Sequence, residues 1–454
     1  MSALLDFVKF NELSNWSVAH LLQNHFNYNK DFELVKIGSF LKRNKTQVIV
    51  DDNTTYKRVT IKLYNNGVFL RDTEIGKNIG TKKQFSIKEG QFLLSKIDAR
   101  NGAFGIATNE VDGAIITADF LAFDIDKSRI NPDFLVLITT TKKFMQFAQS
   151  ASSGTTGRQR IDESKFLNTK IPLPKLDIQK QIVENYQNKI NLANEQGQKA
   201  ENLEKDIEEY LYSKLGLEKD NNSKSNNLLN FISFEKLMVW SCKDILDNLS
   251  INSIHFKTYS LNQKPSLFVD IFRGKSPKYE DNSKSIILNQ KCNRWNDLEL
   301  EHSKSVNDEW FEKLDKKFFT QEGDILINST GDGTIGRATC ISKEFKNLIY
   351  DSHILLLRVN QNEINPLFLT YFINCDLGQK QIENIKSAVA TKQTELGINN
   401  LKNLQFIIPD IDIQNEIANT IKEMKNQIKF LNTESKNNKQ LSLEEFEKEV
   451  FNEA

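Results

Sequence analysis

The chain has 454 residues, 39% of them hydrophobic, which at about 100–200 residues per domain allows two to four domains with cores of their own and excludes a disordered tail. Its 60 basic and 60 acidic residues cancel, and mean hydropathy is −0.48. No run approaches the ~18 apolar residues that span a bilayer, and Met1 to Phe10 lack a basic stretch ahead of an apolar one, so a soluble, cytoplasmic protein with no membrane partner is expected. Four cysteines, Cys242, Cys292, Cys340 and Cys375, stand far apart with no C-x-x-C pair, which predicts free thiols and no structural metal site.

The neutral total hides a gradient. Residues 1–170 carry 24 basic against 18 acidic side chains, 231–405 carry 22 of each, and 171–230 and 406–454 are acidic. A basic first part is the footprint of a phosphate-binding surface.

Read from its start, the chain is written twice. Leu4 to Phe10 with Leu13, Trp16 and Ser17 returns as Leu228 to Phe234 with Leu237, Trp240 and Ser241. Further along, Glu89-Gly90 returns as Glu322-Gly323, Gly102-x-x-Gly105 as Gly333-x-x-Gly336, Ile130-Asn131-Pro132 as Ile364-Asn365-Pro366, and Pro174 to Gln179 as Pro409 to Gln414. A period this long is a duplicated domain, with a pseudo-twofold relation between the copies, and not a solenoid.

Each copy opens with short β-branched or apolar segments punctuated by glycine: Val59–Ile61, Phe92–Leu94, Ala114–Thr117 and Phe120–Phe123, then Asp324–Asn328 and His353–Val359 in the second. These read as strands of a mixed α/β domain. After Pro174 the period changes to seven, with Ala193, Ala200 and Ile207 joined by Leu203 and Tyr210, and a helix from about Gln179 to Lys214 ends at Gly216. Ile417, Ile421, Met424, Ile428 and Leu431 repeat the seam, with an interruption expected around Ser435 to Lys439. Two related seams in one chain predict an antiparallel two-helix coiled coil holding two globular parts apart. The expected domains are 1–174, a first spacer helix 175–217, a linker 218–227, a second globular domain 228–409 and a second spacer helix 410–454.

Several motifs have duller explanations. Gly331-Asp332-Gly333-Thr334-Ile335-Gly336 matches the dinucleotide fingerprint, but a strand and not a helix follows it, so it reads as a tight turn. Asn131-Pro132-Asp133-Phe134 is similar to the N-P-P-[YF] loop of amino-methyltransferases without its second proline; an Asn cap with Pro at the first helical position explains it and Asn365-Pro366 together. Pro132-Asp133 with Glu163-Ser164-Lys165 fits a loose nuclease pattern that has no counterpart in the second copy. No catalytic or metal residues are assigned, and no cofactor.

More informative is Ser152 to Arg160, a hydroxyl-rich loop with Arg and Gln, the side chains that fork onto guanine and adenine edges. Its counterpart holds Thr391-Lys392-Gln393-Thr394, and Ser95 to Asn101 is a second polar tip. With the duplicated half, Glu89-Gly90-Gln91-Phe92-Leu93 and Glu322-Gly323-Asp324-Ile325-Leu326, and Ile171 to Pro174 running into Ile178-Gln179, the chain resembles a specificity subunit of a type I restriction-modification system over nearly its whole length. That resemblance implies two target recognition domains on a two-helix bar, each reading one half of a split asymmetric sequence in double-stranded DNA. It further implies no catalysis of the chain's own, two docked methylase subunits, and restriction subunits that join to cut.

Side-chain chemistry then picks the candidate DNA contacts. Lys96, Arg100, Arg158 and Arg160 suit phosphates or guanines, Asn101 and Gln159 suit adenines, and Thr156 lies in the same loop; Asn328, Thr330, Arg337, Lys392 and Gln393 are the second-domain analogues. The competing readings are a self-contained nuclease or methyltransferase and a scaffold that binds only proteins.

Overall fold

The structure, a computed structural model, describes residues 28–145, 152–153, 160–217, 253–331, 333–385, 387–388 and 394–451. The first repeat anchors (Leu4 to Ser17 and Leu228 to Ser241), the linker 218–227 and Cys242 lie outside the described residues. The chain divides into two compact units: residues 1–197 with 432–454, and residues 198–431.

Unit 1 contains β1 (Glu33–Lys36), β2 (Leu41–Asn44), β3 (Gln47–Ile49), β4 (Thr55–Ile61), β5 (Val68–Ile75), β6 (Lys83–Ser86), β7 (Phe92–Ser95), β8 (Phe104–Ile106), β9 (Ile115–Ile116), β10 (Phe120–Ile125), β11 (Ser152–Ser153), β12 (Arg160–Ile161) and β13 (Lys170–Leu173). Helices α1 (Pro132–Thr140), α2 (Glu163–Asn168) and the first part of α3 (Leu176–Leu215) complete it, with the end of the last helix. A four-stranded sheet runs β2-β10-β7-β8 and a five-stranded sheet runs β3-β6-β9-β4-β5. Strand β7 is apolar throughout because both its faces are covered: Phe92 and Leu94 enter one core with Phe134 and Phe166, while Leu93 enters another with Val59 and Val68. At about 1.5–3 kcal/mol per buried large side chain, this double burial fixes the strand's register.

Unit 2 contains β14 (Thr258–Ser260), β15 (Phe268–Arg273), β16 (Ser285–Leu288), β17 (Lys304–Val306), α4 (Asp308–Glu312), β18 (Asp324–Asn328), β19 (Ala338–Cys340), β20 (Ile349–Tyr350), β21 (Ile354–Val359), α5 (Pro366–Asn374), α6 (Asp376–Ile385), β22 (Ser387–Ala388), β23 (Thr394–Glu395), α7 (Ile398–Leu401), β24 (Gln405–Ile407) and the start of α8 (Ile411–Phe451). Its four-stranded sheet runs β15-β21-β18-β19, each strand at the place in chain order that β2, β10, β7 and β8 hold in unit 1. The alternation recurs too, with Ile325 and Ile327 in one core and Leu326 in another.

The repeated sequence pieces have a shared structural use. Asn131 and Asn365 cap α1 and α5, each side chain accepting two backbone N–H bonds, with Pro in the first turn. Gln179 and Gln414, both fully buried, stitch those caps to the long helices. Gln179 accepts from the Asn131 N–H (2.7 Å) and donates to the carbonyls of Pro174 (2.7 Å) and Arg129 (3.1 Å). Gln414 accepts from Asn365 (2.9 Å) and donates to Pro409 (2.8 Å) and Glu363 (3.1 Å).

Within each unit the two long helices lie side by side with opposite chain directions. In unit 1 Lys189 meets Glu445 (2.8 Å) and Ala193 meets Ser435; in unit 2 Glu204 meets Lys425 (2.8 Å) and Lys214 meets Glu416 (2.6 Å). The seam positions Ala193, Ala200, Ile207, Ile417, Ile421 and Ile428 are buried. The expected interruption at Ser435 to Lys439 is wrong, since α8 runs unbroken from Ile411 to Phe451. Ser435 is buried and donates to the Ala193 carbonyl at 2.7 Å, and Asn438 donates to Gln196 at 3.0 Å, so these polar residues serve the contact between helices.

Candidate nucleic-acid interface

In unit 1 the strand β7 runs into a turn at Lys96, a 3-10 turn at Ala99–Asn101 and then Gly102, before β8 leads the chain back. Gly102 has φ 74°, and a Cβ there would stand 3.1 Å from the Asn65 backbone nitrogen, so only glycine suits the position. The Lys96 N–H donates to the Asp119 carbonyl (2.8 Å), and the Lys96 carbonyl accepts from Ile161 (2.9 Å). That second bond ties the turn to β12, whose Arg160 pairs with Asp119 at 3.0 Å. Both partners of the pair are exposed, so water screens it. Lys96, Asn101 and Arg160 are therefore gathered around one turn. Thr156, Arg158 and Gln159 lie outside the described residues, between β11 and β12 in sequence, and for Arg100 only the backbone is described.

In unit 2 the strand β18 runs into the glycine-rich turn and then into β19, which pairs antiparallel with it. Gly331, Gly333 and Gly336 all have positive φ, and the Gly336 N–H returns to the Asn328 carbonyl at 2.9 Å. A strand follows the motif as expected, so no helix N-terminus is presented to a pyrophosphate. The turn is tied to β23 as its counterpart is to β12: Leu396 donates to the Ser329 carbonyl at 2.7 Å, and Thr330 bridges Glu395, which pairs with Arg273. The Thr330 hydroxyl lies 2.8 Å from His353 Nδ1 and 3.3 Å from Gln290 Oε1. Arg337 donates to the Gly333 carbonyl (3.1 Å) and holds its guanidinium 5.6 Å from the centre of the Trp295 ring. Lys392 and Gln393 lie outside the described residues.

One predicted contact is overturned. Asn328 is 0% exposed; its Oδ1 accepts from Asn293 Nδ2 (3.0 Å) and its Nδ2 donates to the Gln290 carbonyl (3.0 Å). Both ends of the amide are occupied inside the domain, so no edge is left for a base. A strand-final position next to a polar turn suggested exposure, yet every residue of β18 is buried.

Two residues close to these turns were not singled out from sequence. Tyr64, 77% exposed, lies between β4 and β5, where its N–H and that of Asn65 donate to the carbonyls of Asn101 and Gly102 (both 2.8 Å). Trp295 is 45% exposed beside Arg337. The Asn65-Asn66-Gly67 run, a hairpin-turn signature, was the available signal for the first.

The chemistry for catalysis is weak among the described residues. Cys292, Cys340 and Cys375 are free thiols, and burial pushes Cys340 and Cys375 up to about 12, far from a thiolate nucleophile. In the loose nuclease pattern Asp133 sits in the first turn of α1 and Glu163 lies 3.7 Å from Arg43. Glu299, Glu301 and His302 are the one group with metal-ligand spacing among the described residues, and Glu299 is already paired with Arg294 at 2.8 Å. No helix among the described residues is long and apolar enough to cross a membrane.

The family pattern of the type I restriction modification DNA specificity domain matches residues 29–205 and again 268–440. The chain is 22% identical over 439 residues to the type I restriction enzyme MjaVIII specificity subunit of Methanocaldococcus jannaschii, covering 93% of this chain and 92% of that one. It is 29% identical over 111 residues to the putative MjaX specificity subunit of the same organism, 24% of this chain and 26% of the relative. Among solved structures, the HsdS subunit from Thermoanaerobacter tengcongensis superposes with a TM-score of 0.50 at 14% identity, over 94% of this chain and 98% of that one. A chain from a type I R-M system solved for its complex assembly and conformational transition superposes with a TM-score of 0.56, also at 14% identity, over 93% and 98%. At these identities the superpositions speak for the fold.

Proposed function

This chain belongs to the type I restriction-modification DNA specificity family, and from that membership we propose that it reads a bipartite asymmetric DNA sequence, one half-site with each unit. Its role is DNA sequence recognition without catalysis. The observation that carries the bipartite reading is the repetition of one reading device with different side chains. In each unit a turn between paired strands of the four-stranded sheet is bonded to a short strand late in the domain, Lys96 to Ile161 and Ser329 to Leu396. The residues at equivalent places differ, Arg160 against Glu395 and Lys96 against Ser329, and two versions of one surface with different polar groups select different bases.

The reading domains are proposed as 1–174 and 228–409, products of a duplication, with 175–217 and 410–454 as an antiparallel coiled coil whose length sets the spacer between the half-sites. A repeated body offers two similar docking sites to two methylase subunits, which restriction subunits then join. Lys96, Arg100, Asn101, Thr156, Arg158, Gln159 and Arg160 are the proposed contacts of the first half-site; Thr330, Arg337, Lys392 and Gln393 are those of the second.

The test is a genome-wide map of methylated bases in a host carrying the chain with its candidate methylase, against a host lacking the chain. A single bipartite motif that disappears with the chain is the expected result. An unchanged pattern in the presence of the assembled complex refutes the reading and leaves the protein scaffold.

A further inference from the structure

Both units place an exposed aromatic ring beside the reading turn, by the same backbone device. In unit 1, β4 pairs antiparallel with β5 and parallel with β9; in unit 2, β16 pairs antiparallel with β17 and parallel with β20. The connections β4–β5 and β16–β17 are thus topological equivalents, unrelated in sequence and in length. Each carries an aromatic residue followed by asparagine, Tyr64-Asn65 and Trp295-Asn296, and each asparagine is left-handed, with φ 58° and 64°.

That conformation docks the loop. Asn65 donates to the Gly102 carbonyl at 2.8 Å, and Asn296 donates to the Ala338 carbonyl at 3.1 Å. The Asn296 side chain is held by Asn374 at 2.6 Å, and the carbonyls on either side of the Trp295-Asn296 pair, those of Arg294 and Asp297, share the single proton of the Thr339 hydroxyl at 2.8 and 3.0 Å. Tyr64 is itself at φ 58°, a region that bulky residues avoid and that persists where surrounding bonds over-determine it. The backbone under each ring is therefore rigid, while the ring stays open to solvent.

We propose that Tyr64 and Trp295 are specificity-determining contacts of the two half-sites, their rings packing on base edges such as the thymine methyl, or on deoxyribose, in a groove of duplex DNA. This rests on the reading of the chain as a DNA specificity subunit and deepens it. The surroundings fit an anionic, planar ligand. Lys62 stands two residues before Tyr64, the turn that accepts the Tyr64 N–H begins at Lys96, and the Arg337 guanidinium faces the Trp295 ring. A stacked arginine keeps its donors for phosphate or guanine, while an exposed ring fits the thymine methyl or deoxyribose in a groove, and losing the readout of one base pair costs about five- to 150-fold in affinity.

The test uses the full chain assembled with its methylase, with Tyr64→Gly, Tyr64→Phe, Trp295→Ala and Trp295→Phe. Readouts are thermal stability, affinity for duplexes altered in one half-site at a time, and the methylated motif. Tyr64→Gly removes the ring and also relieves the left-handed backbone, so its melting temperature is expected to hold or rise while discrimination at the first half-site falls about tenfold or more. Trp295→Ala is expected to lower discrimination at the second half-site by a similar factor, and each Phe variant to retain most of the discrimination. Folded Gly and Ala variants that keep wild-type discrimination overturn the proposal. So does a loss that follows melting temperature alone, which is the mark of a structural role. A wild-type complex that methylates no motif instead refutes the specificity reading beneath it.

Discussion

Replacing Asn328 separates a buried structural amide from a base reader. Asn328→Ala deletes two side-chain hydrogen bonds, from Asn293 Nδ2 and to the Gln290 carbonyl, both at 3.0 Å in a site with no exposure. Each such bond contributes about 0.5–1.5 kcal/mol net, and partners left buried and unpaired cost more, giving roughly 2–4 kcal/mol for the pair. Asn293 keeps the carbonyls of Arg337 (2.9 Å) and Leu326 (3.3 Å), which limits the loss on that side. Asn328→Asp is expected to be worse than Ala, because it sets an acceptor against the Gln290 carbonyl and buries a charge. Urea unfolding followed by tryptophan fluorescence measures the cost, and methylation mapping of the surviving folded complex reads the motif. The expected motif is unchanged in both variants. A stable Asn328→Asp complex whose motif exchanges one base for cytosine, the partner a carboxylate prefers, would refute the structural assignment.

The remaining predictions concern the strands and turn behind the glycine-rich turn of unit 2. Arg358 and Asp324 face each other across β21 and β18 with paired bonds of 2.8 and 2.7 Å, and Asp324 is 1% exposed. Arg358→Met strands the carboxylate and is expected to cost about 3–5 kcal/mol in urea unfolding, while adding Asp324→Leu recovers part of it; a double variant weaker than the single one contradicts this. Asp351, 3% exposed, has its carboxyl pushed up by burial against the pull of the His353 N–H at 3.0 Å. Its stabilising contribution is therefore full below the ordinary value of about 3.9 and is lost as pH rises through the raised one. Asp351→Asn should melt above wild type at pH 7, with the gap closing toward pH 4; a gap that widens on acidification contradicts that sign.

Local chemistry and repetition made a good part of this legible in one dimension. Asn131-Pro132 and Asn365-Pro366 announce helix starts because the cap bonds span two or three residues, and they appear as such. The seam of Ala193, Ala200 and Ile207 announces a buried helix face because spacing of seven returns a side chain to the same side. The failed interruption at Ser435 shows where local reading stops. Serine and asparagine lower helix propensity by tenths of a kcal/mol, whereas a buried bond to Ala193 on the other helix restores more than that.

The proposed reading surface divides in the same way. Strand, turn and strand were visible from glycine and apolar runs, and the polar turn residues from composition. Which of those residues face outward was not, because that depends on partners far away in sequence. Asn328 is turned inward by Asn293, 35 positions away, and Tyr64 is brought to the turn by the carbonyl of Asn101, 37 positions away. Sequence order carries the spacing of residues along one element; only packing between elements decides which side chain is consumed inside and which is left exposed.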